Sequence, residues 1–192
     1  MNDQTPKSAP PPSFAAWRDA HLVERLARLL RADEFDAGLN PAQWESLRYL
    51  ARANRFSRTP AALADYLNSS RGTVSQTLIA LEEKGLIEKT KSATDARSFN
   101  LALSTAGRSM LASDSEAGLA RDLDATGAAA MVAAALDQAL VSALTRRGGK
   151  TFGICRTCKH FRRGAAAHHC ALLDEKLAAQ EAEAICAEME AA

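Results

Sequence analysis

All four cysteines of the chain lie in its last 38 residues, with the spacing Cys155-x2-Cys158-x11-Cys170-x15-Cys186. Four thiolates are enough to bind a tetrahedral zinc ion or an iron–sulfur cluster. The first two cysteines are close enough in sequence to place both sulfurs on one metal ion or cluster. The other two come from separate segments, so that shared ligation would close the tail of the chain into a loop.

Zinc and iron–sulfur are competing interpretations of this spacing. Structural zinc sites often use two C-x-x-C pairs, whereas this tail has one pair and two single cysteines. The spacing resembles that of high-potential iron proteins, which hold a [4Fe–4S] cluster. We therefore predict an iron–sulfur cluster of the [4Fe–4S] type, with zinc as the alternative and unbound redox-active thiols third. His168 and His169, beside Cys170, are alternate zinc ligands or hydrogen-bond donors to sulfur, unless they are simply solvated.

Other cysteine sites fit the sequence less well. Covalent haem attachment needs C-x-x-C-H, but Lys159 follows Cys158. A zinc deaminase needs H-x-E ahead of P-C-x-x-C, and neither element occurs. With no secretory segment and no apolar run long enough for a membrane, we expect a cytoplasmic protein whose cysteines stay reduced.

The tail, residues 148–192, has too few apolar residues to fold by itself. A bound metal group can supply the missing stability, since structural zinc contributes about 10–16 kcal/mol in small peptides. The last stretch, residues 172–192, is rich in Ala and Glu and predicts a helix with an acidic outer face.

The preceding part of the chain, residues 14–147, has the pattern of a mainly helical domain, after a disordered arm at residues 1–13. Asn40 and Thr59, each followed by proline, are typical helix starts. A short helix over "TPAALADYLN", a turn and a second helix over "SRGTVSQTLIALEEKG" form a helix-turn-helix pattern. Two short strands, "GLIEKT" and "FNLALS", follow with a polar turn between them, and this order predicts a winged helix.

The second helix of this motif has a polar face suited to DNA. Hydroxyls, an amide and a guanidinium can contact base edges without filling the major groove, although a plain solvated helix looks similar. The whole chain has 24 Lys and Arg against 23 Asp and Glu, so any basic surface must be local. The candidate DNA-binding residues of this region are Ser70, Arg71, Thr73, Gln76 and Thr77, and the candidate phosphate contacts are Arg48, Arg52, Arg55, Arg58, Lys89, Lys91 and Arg97.

The run "TVSQTLIALEEKGLIEKTKSATDARSFNLALSTAGRSML" resembles the winged helix of MarR-type transcriptional regulators. The resemblance implies a homodimer with interlocking terminal helices, which places two recognition helices in successive major grooves of a pseudo-palindromic operator. Within the "DARS" wing, Arg97 matches the wing arginine of the family, and Asp95 would orient it by a charge-assisted hydrogen bond. Residues 105–146, which the family uses for dimerisation, look irregular because Gly118 and Gly127 interrupt them.

Together these patterns predict a mainly α protein with a small β-wing, dimerising terminal helices and a cysteine-rich metal-binding extension. We expect a sequence-specific DNA-binding regulator whose cysteine site senses redox state, oxygen, nitric oxide or metal supply. One alternative is a MarR-type regulator with structural zinc that responds to a small aromatic ligand. Another is an electron-transfer protein that uses the winged helix for protein contacts. With no Gly-rich nucleotide loop and no nucleophile–base pair, we do not expect an enzyme.

Overall fold

Seven helices and a two-stranded hairpin precede the cysteine-rich tail in the part of the chain that the structure describes. This structure is a computed structural model that describes residues 10–36, 38–91, 99–112 and 114–191. The arm predicted for residues 1–13 falls largely outside these ranges. The elements are α1 (Phe14–Asp36), α2 (Pro41–Arg52), α3 (Pro60–Tyr66), α4 (Arg71–Glu83), β1 (Ile87–Lys91), β2 (Phe99–Leu103), α5 (Thr105–Ala112), α6 (Ser115–Ala125) and α7 (Ala129–Arg146).

The helix starts follow from the capping residues that the sequence indicates. The Asn40 side chain accepts the Gln43 backbone N–H at 2.9 Å, and the Gln43 side chain accepts the Asn40 N–H at 3.2 Å. This reciprocal pair satisfies two donors that the start of α2 leaves without helical partners. Thr59 and Ser70 cap α3 and α4 through their hydroxyls. The helix-turn-helix prediction is confirmed in α3 and α4.

The wing is tied to the helix-turn-helix at its base. The chain leaves α4 through Gly85, whose φ of +68° is a conformation that favours glycine. The Ser104 hydroxyl donates to the Gly85 carbonyl at 2.6 Å and accepts the Gly107 backbone N–H at 3.0 Å. β1 and β2 pair antiparallel, with Ile87 opposite Leu103. The predicted mainly helical winged-helix class is thereby confirmed.

One apolar core joins α2, α3, α4 and the wing. Leu47, Leu63 and Leu81 have no exposed surface, and Leu101 of β2 closes the core from the wing side. The long helices α1 and α7 contribute little to this core. Their exposed apolar side chains are Phe14, Trp17, Leu22, Val23, Leu26 and Leu29 on α1 and Met131, Leu136, Leu140 and Val141 on α7.

The region that looked irregular in sequence consists of three helices, α5 to α7. Gly118 lies inside α6, so the expectation that it interrupts a helix is wrong. Gly127 does mark an interruption, because its φ of +67° lies in the turn between α6 and α7. In the described ranges, no helix has both the length and the apolar character needed to cross a membrane.

The helix predicted for residues 172–192 is wrong. Short strands and 3₁₀ turns occupy this stretch, because packing around the cysteines overrides the helical propensity of alanine and glutamate. The tail contains β3 (Gly153–Ile154), β4 (Phe161–Arg162), β5 (His168–Cys170), β6 (Glu175–Leu177) and β7 (Ile185–Cys186), with 3₁₀ turns at Cys155–Thr157 and Ala179–Glu183. β3 pairs antiparallel with β7, and β4, β5 and β6 form an antiparallel sheet in that order.

The tail packs directly on the winged helix. The Phe152 ring meets the rings of Tyr49 and Tyr66 edge-on, with centroid distances of 6.2 Å and 5.2 Å. Ala187 is buried in the main core, and Ile185 packs against it. These contacts bring the cysteine strands next to α2 and α3, the helices that pack against α4.

Candidate nucleic-acid interface and cysteine site

The predicted DNA-contacting residues lie at the N-cap and in the first two turns of α4. One face of this helix is buried through Val74, Leu78 and Leu81, which leaves the outer face accessible. Four of the predicted residues are exposed, namely Ser70, Arg71, Thr73 and Gln76, and Thr77 is half-buried. This face can therefore enter a major groove without rearrangement of the core.

Local contacts orient these polar side chains. Ser70 accepts the Thr73 backbone N–H at 3.1 Å, and its hydroxyl lies 2.8 Å from the Thr73 hydroxyl. Arg71 Nη2 lies 3.3 Å from the Asp65 carboxylate, and the arginine side chain is 63% exposed. An exposed ion pair contributes about 0–1 kcal/mol, so a phosphate or a base edge can replace this carboxylate at little cost. Gln76 is likewise exposed on this face.

The wing tip lies outside the described residues, together with Asp95 and Arg97. The predicted roles of Arg97 as the wing arginine, and of Asp95 in orienting it, therefore stay predictions. Of the two wing lysines on β1, Lys89 contacts Glu82 of α4 at 2.6 Å.

Four arginines that the sequence suggested as phosphate contacts are held by other protein groups. Arg48 is 13% exposed and pairs with Asp114, so it is an interior ion-pair residue and not a phosphate contact. The other three are more accessible but are also engaged. Arg52 pairs with Glu116, Arg55 pairs with Glu181 and Glu175 of the tail, and Arg58 donates to the Ala53 carbonyl.

The four cysteines line one small cavity of about 20 Å³ that is partly open to solvent. Cys155 and Cys158 bracket a 3₁₀ turn that the Cys158 N–H closes onto the Cys155 carbonyl at 3.0 Å. Cys170 ends β5 and Cys186 ends β7. All four are free thiols, two of them buried and two half-buried. The remaining wall is mostly apolar and is formed by Phe161, Leu172, Leu173 and Leu177, with His160 and Glu188 at its polar edge.

The two buried cysteines, Cys155 and Cys186, are hydrogen-bonded to each other through their sulfurs. A hydrogen bond between their sulfurs raises the pKa of Cys155, and burial raises it further. The same hydrogen bond lowers the pKa of Cys186 to about 6, against the effect of burial and with help from the Glu188 N–H, Asn54 and Ser57. Thiolates rather than thiols bind metals, so this pair already favours one ligand in its reactive form.

The histidines beside Cys170 contact other groups. His168 stacks on Phe161 with a centroid distance of 4.9 Å, and His169 Nε2 lies 3.1 Å from Asp174. Neither is among the residues that line the cysteine cavity. Within the ranges described, no three His, Cys, Asp or Glu side chains are grouped as ligands of one metal ion.

The connection between α2 and α3, residues 53–58, packs against one side of the cysteine site and forms hydrogen bonds to it. The Asn54 amide donates to Cys155 Sγ at 3.4 Å, and the Ala187 backbone N–H donates to the Ser57 hydroxyl at 2.8 Å. No local sequence pattern indicates these contacts, because the partners lie 101 and 130 residues apart.

Comparison with known proteins assigns the winged helix. Residues 37–98 match the sequence model of the MarR family, whose members are transcriptional regulators rather than enzymes. No curated protein sequence matches the chain.

The structure is similar to solved structures of MepR from S. aureus. For MepR in its DNA-binding conformation the TM-score is 0.55 at 22% identity, over 68% of this chain and 98% of that chain. For a MepR–DNA complex the TM-score is 0.52 at 20% identity, over 68% of this chain and 99% of that chain. For a point mutant of MepR the TM-score is 0.53 at 21% identity, over 68% of this chain and 98% of that chain. At these identities the similarity establishes the fold, and it leaves about a third of this chain unmatched.

Proposed function

We propose that this chain is a cytoplasmic MarR-type transcriptional regulator that binds DNA as a homodimer and carries a regulatory iron–sulfur cluster on its four cysteines. One observation supports this combination most directly. The four cysteines come from three segments and line a single cavity, and Cys155 contacts the connection that leads into the helix-turn-helix. The connection between α2 and α3 thus belongs both to the cysteine site and to the proposed DNA-binding motif.

DNA binding is supported by the exposed polar face of α4 and by the MarR match over residues 37–98. The similar MepR structure in complex with DNA has the same fold. In this proposal α4 reads bases in the major groove through Arg71, Thr73 and Gln76. Lys91 of β1, which is exposed, and Arg97 of the wing supply phosphate and minor-groove contacts that make binding salt-dependent.

Dimerisation is supported by the apolar side chains that α1 and α7 leave exposed. Trp17 and Leu29 of α1 are each 64% exposed, and Leu140 of α7 is 57% exposed. Soluble monomers rarely expose large continuous apolar patches, and a second copy of the chain would cover them. A two-fold symmetric dimer presents two copies of α4, which is why we expect a pseudo-palindromic operator.

An iron–sulfur cluster is supported by the arrangement of the sulfurs around a shared cavity. In a [4Fe–4S] cluster each cysteine binds a different iron, so the four sulfurs surround a bulky group. A zinc ion would instead draw all four sulfurs to about 2.3 Å from one centre. Apolar side chains such as Phe161 and Leu177 would limit the access of water to the cluster. Zinc remains the alternative metal.

Regulation would follow from gain or loss of this metal group in response to redox state, oxygen, nitric oxide or metal supply. The tail has few apolar residues apart from those around the cysteines, so ligation would hold its strands together. Among the residues that the structure describes, no observation favours a structural zinc with an aromatic effector, or an electron-transfer role, over this proposal.

The test is purification without oxygen and without added metal, followed by absorption spectroscopy and elemental analysis. We expect brown protein with about four irons per chain. Binding to a duplex selected from random sequence by the purified protein should then differ between loaded and metal-free forms. Colourless protein with zinc would overturn the cluster, and equal DNA affinity in both forms would overturn the regulatory role.

A further inference from the structure

We infer that Asn54 is the positioning residue that couples the cysteine site to the helix-turn-helix, by holding Cys155 and β7 against the connection between α2 and α3. This inference rests on the proposed function, because it assigns how metal at the cysteines is communicated to DNA binding. It concerns a residue outside both the DNA-contacting face and the set of four cysteines.

Asn54 is 2% exposed, and both ends of its side-chain amide are engaged. Its Nδ2 donates to Cys155 Sγ at 3.4 Å, and its Oδ1 accepts the Ser57 backbone N–H at 2.9 Å. Its own backbone N–H donates to the Ile185 carbonyl at 2.9 Å, one residue before Cys186. A single buried residue therefore contacts the segments of two cysteines and also shapes the turn that leads to α3.

The far side of the same turn is fixed to the winged helix. The Tyr49 hydroxyl donates to the Ser57 carbonyl at 2.7 Å. The Leu101 N–H of β2 donates to the Arg58 carbonyl at 2.8 Å, and the next residue, Thr59, caps α3. The Thr59 cap follows Asn54 by only five positions. A displacement of Asn54 is therefore transmitted to the start of α3 and to the middle of β2 in the wing.

The charge of the sulfur determines how firmly Asn54 is held. A metal-bound thiolate is a stronger hydrogen-bond acceptor than a neutral thiol. Amide donors to ligating sulfur are also among the outer contacts that tune a cluster. Metal binding thus strengthens the Nδ2–Sγ contact and fixes Cys155 relative to β7. Loss of the metal leaves a buried amide donor with a weaker partner, which favours movement of the turn.

The coupling is reciprocal by thermodynamic necessity. If metal at the cysteines changes operator affinity by a given factor, operator DNA changes metal affinity by the same factor. Removing the Asn54 donor should reduce both effects together. If Asn54 had a purely structural role, its replacement would lower the stability of the protein without changing the factor by which metal alters operator affinity.

The test compares wild type with Asn54→Asp, which keeps the size of the side chain and an oxygen for the Ser57 N–H but replaces the donor to sulfur. Gln180→Glu is the control, since it adds the same charge to an exposed position of the tail. For each protein, operator affinity is measured loaded and metal-free, with a duplex selected by the wild-type protein. The cluster absorption spectrum and reduction potential are recorded alongside.

For wild type and for Gln180→Glu, we expect the operator affinities of the loaded and metal-free forms to differ by at least about tenfold. This factor is within the usual range of coupling between two sites. In Asn54→Asp the two operator affinities should differ by about twofold or less, and the reduction potential of the cluster should shift. If wild type itself shows no metal or no such difference, the proposed function fails. If wild type shows the difference and Asn54→Asp retains it, the role of Asn54 fails while the proposed function stands.

A second measurement does not depend on whether the variant folds. In wild type, the backbone amides of Asn54 and Ser57 should exchange with solvent deuterium several-fold faster after metal removal, because their turn loses its anchor. Amides of the main core, such as that of Leu63, serve as the internal reference. Unchanged exchange at Asn54 and Ser57 would overturn the inference.

Discussion

The guanidinium of Arg48 and the carboxylate of Asp114 form an ion pair that joins α2 to the start of α6, with Nε 2.8 Å from Oδ2. Both side chains are largely buried, at 13% and 6% exposure. Asp114 also caps α6 by accepting the Glu116 backbone N–H at 3.1 Å. The pair thus fixes the start of α6 onto α2 of the winged helix.

Replacing Asp114 with Asn should lower the free energy of unfolding at pH 7 by about 2 kcal/mol, since hydrogen bonds to charged groups contribute about 1.5–3 kcal/mol. Burial alone would raise the pKa of Asp114, but the hydrogen bonds from Arg48 and from the Glu116 N–H together lower it. A lowered folded-state pKa stabilises the protein above the unfolded value of about 3.9, and this contribution is lost as the pH falls through the folded value. Urea unfolding of wild type and Asp114→Asn at pH 7 and at lower pH measures this difference.

Glu24→Gln is the matched control for Asp114→Asn. The pKa of Glu24 is also lowered, first by a hydrogen bond from Arg28, but this pair is exposed on one turn of α1. We expect no measurable change in stability from Glu24→Gln, because solvent screens such pairs. A destabilisation by Asp114→Asn that is the same at pH 7 and below about pH 3 would contradict the electrostatic explanation.

Gly107→Ala should destabilise the junction between the wing and α5. A Cβ at this position would lie 2.1 Å from the Leu86 carbonyl oxygen, which also accepts the Ser104 N–H. Because backbone must move to relieve this overlap, we expect a loss of about 2–3 kcal/mol in denaturant unfolding. Gly118→Ala is the control, since a Cβ there meets nothing within 4 Å. It should be neutral or stabilise by up to about 1 kcal/mol, and equal effects of the two changes would argue against the steric cause.

Phe152→Ala should loosen the attachment of the tail to the winged helix. Phe152 supplies the edge-on aromatic contacts to Tyr49 and Tyr66, and the half-buried ring also packs against the main core. We expect a loss of about 1–3 kcal/mol and faster proteolytic cleavage between α7 and β3. Phe99→Ala, at a 38% exposed position of β2, is the control for removal of a phenyl ring. Unchanged proteolysis of the tail in Phe152→Ala would show that other contacts hold it.

Local sequence signals predicted the winged helix well because its element boundaries depend on neighbours in sequence. The Asn40 and Thr59 caps and the Gly85 turn each act within a few residues. The burial of Val74 and Leu78 likewise follows from their spacing on one helix. Such features require no knowledge of distant partners.

The tail was predicted less well because its structure depends on distant partners. Residues 172–192 have helical composition, yet Ile185 pairs with Ile154 and also bridges to Ala53. The cysteine spacing indicated a shared site, and the cysteines do line one cavity. The contacts between that site and the connection between α2 and α3 could not be predicted from the sequence. No sequence pattern links Asn54 to a cysteine 101 residues later.

Gln76→Ala should weaken binding to the selected operator more than binding to random DNA. The amide lies on the exposed face of α4, where a glutamine can contact adenine through two hydrogen bonds. A lost base contact of this kind costs about 1–3 kcal/mol, so we expect roughly a tenfold loss in specific affinity. Fluorescence anisotropy at several salt concentrations measures both affinities and should give an unchanged salt slope, since no phosphate contact is removed.

Gln180→Ala, at an exposed position of the tail, is the matched control for Gln76→Ala and should retain wild-type affinity. Equal weakening of specific and random binding by Gln76→Ala would place this residue on the phosphate backbone rather than on a base edge. No effect at all would mean that the exposed face of α4 does not enter the groove in the proposed way.

Leu140→Glu should convert the proposed homodimer into a monomer. Leu140 is 57% exposed on α7, and in the dimer a partner chain would cover it, so that a charge there would be buried without a counter-ion. Size-exclusion chromatography with light scattering should show a dimer for wild type and a monomer for the variant at micromolar concentration. Ile79→Glu, at a 40% exposed position on α4, is the control and should remain dimeric, since this position lies outside the proposed interface of α1 and α7. A monomeric wild type would contradict the dimer itself, and a dimeric Leu140→Glu would place the interface away from this part of α7.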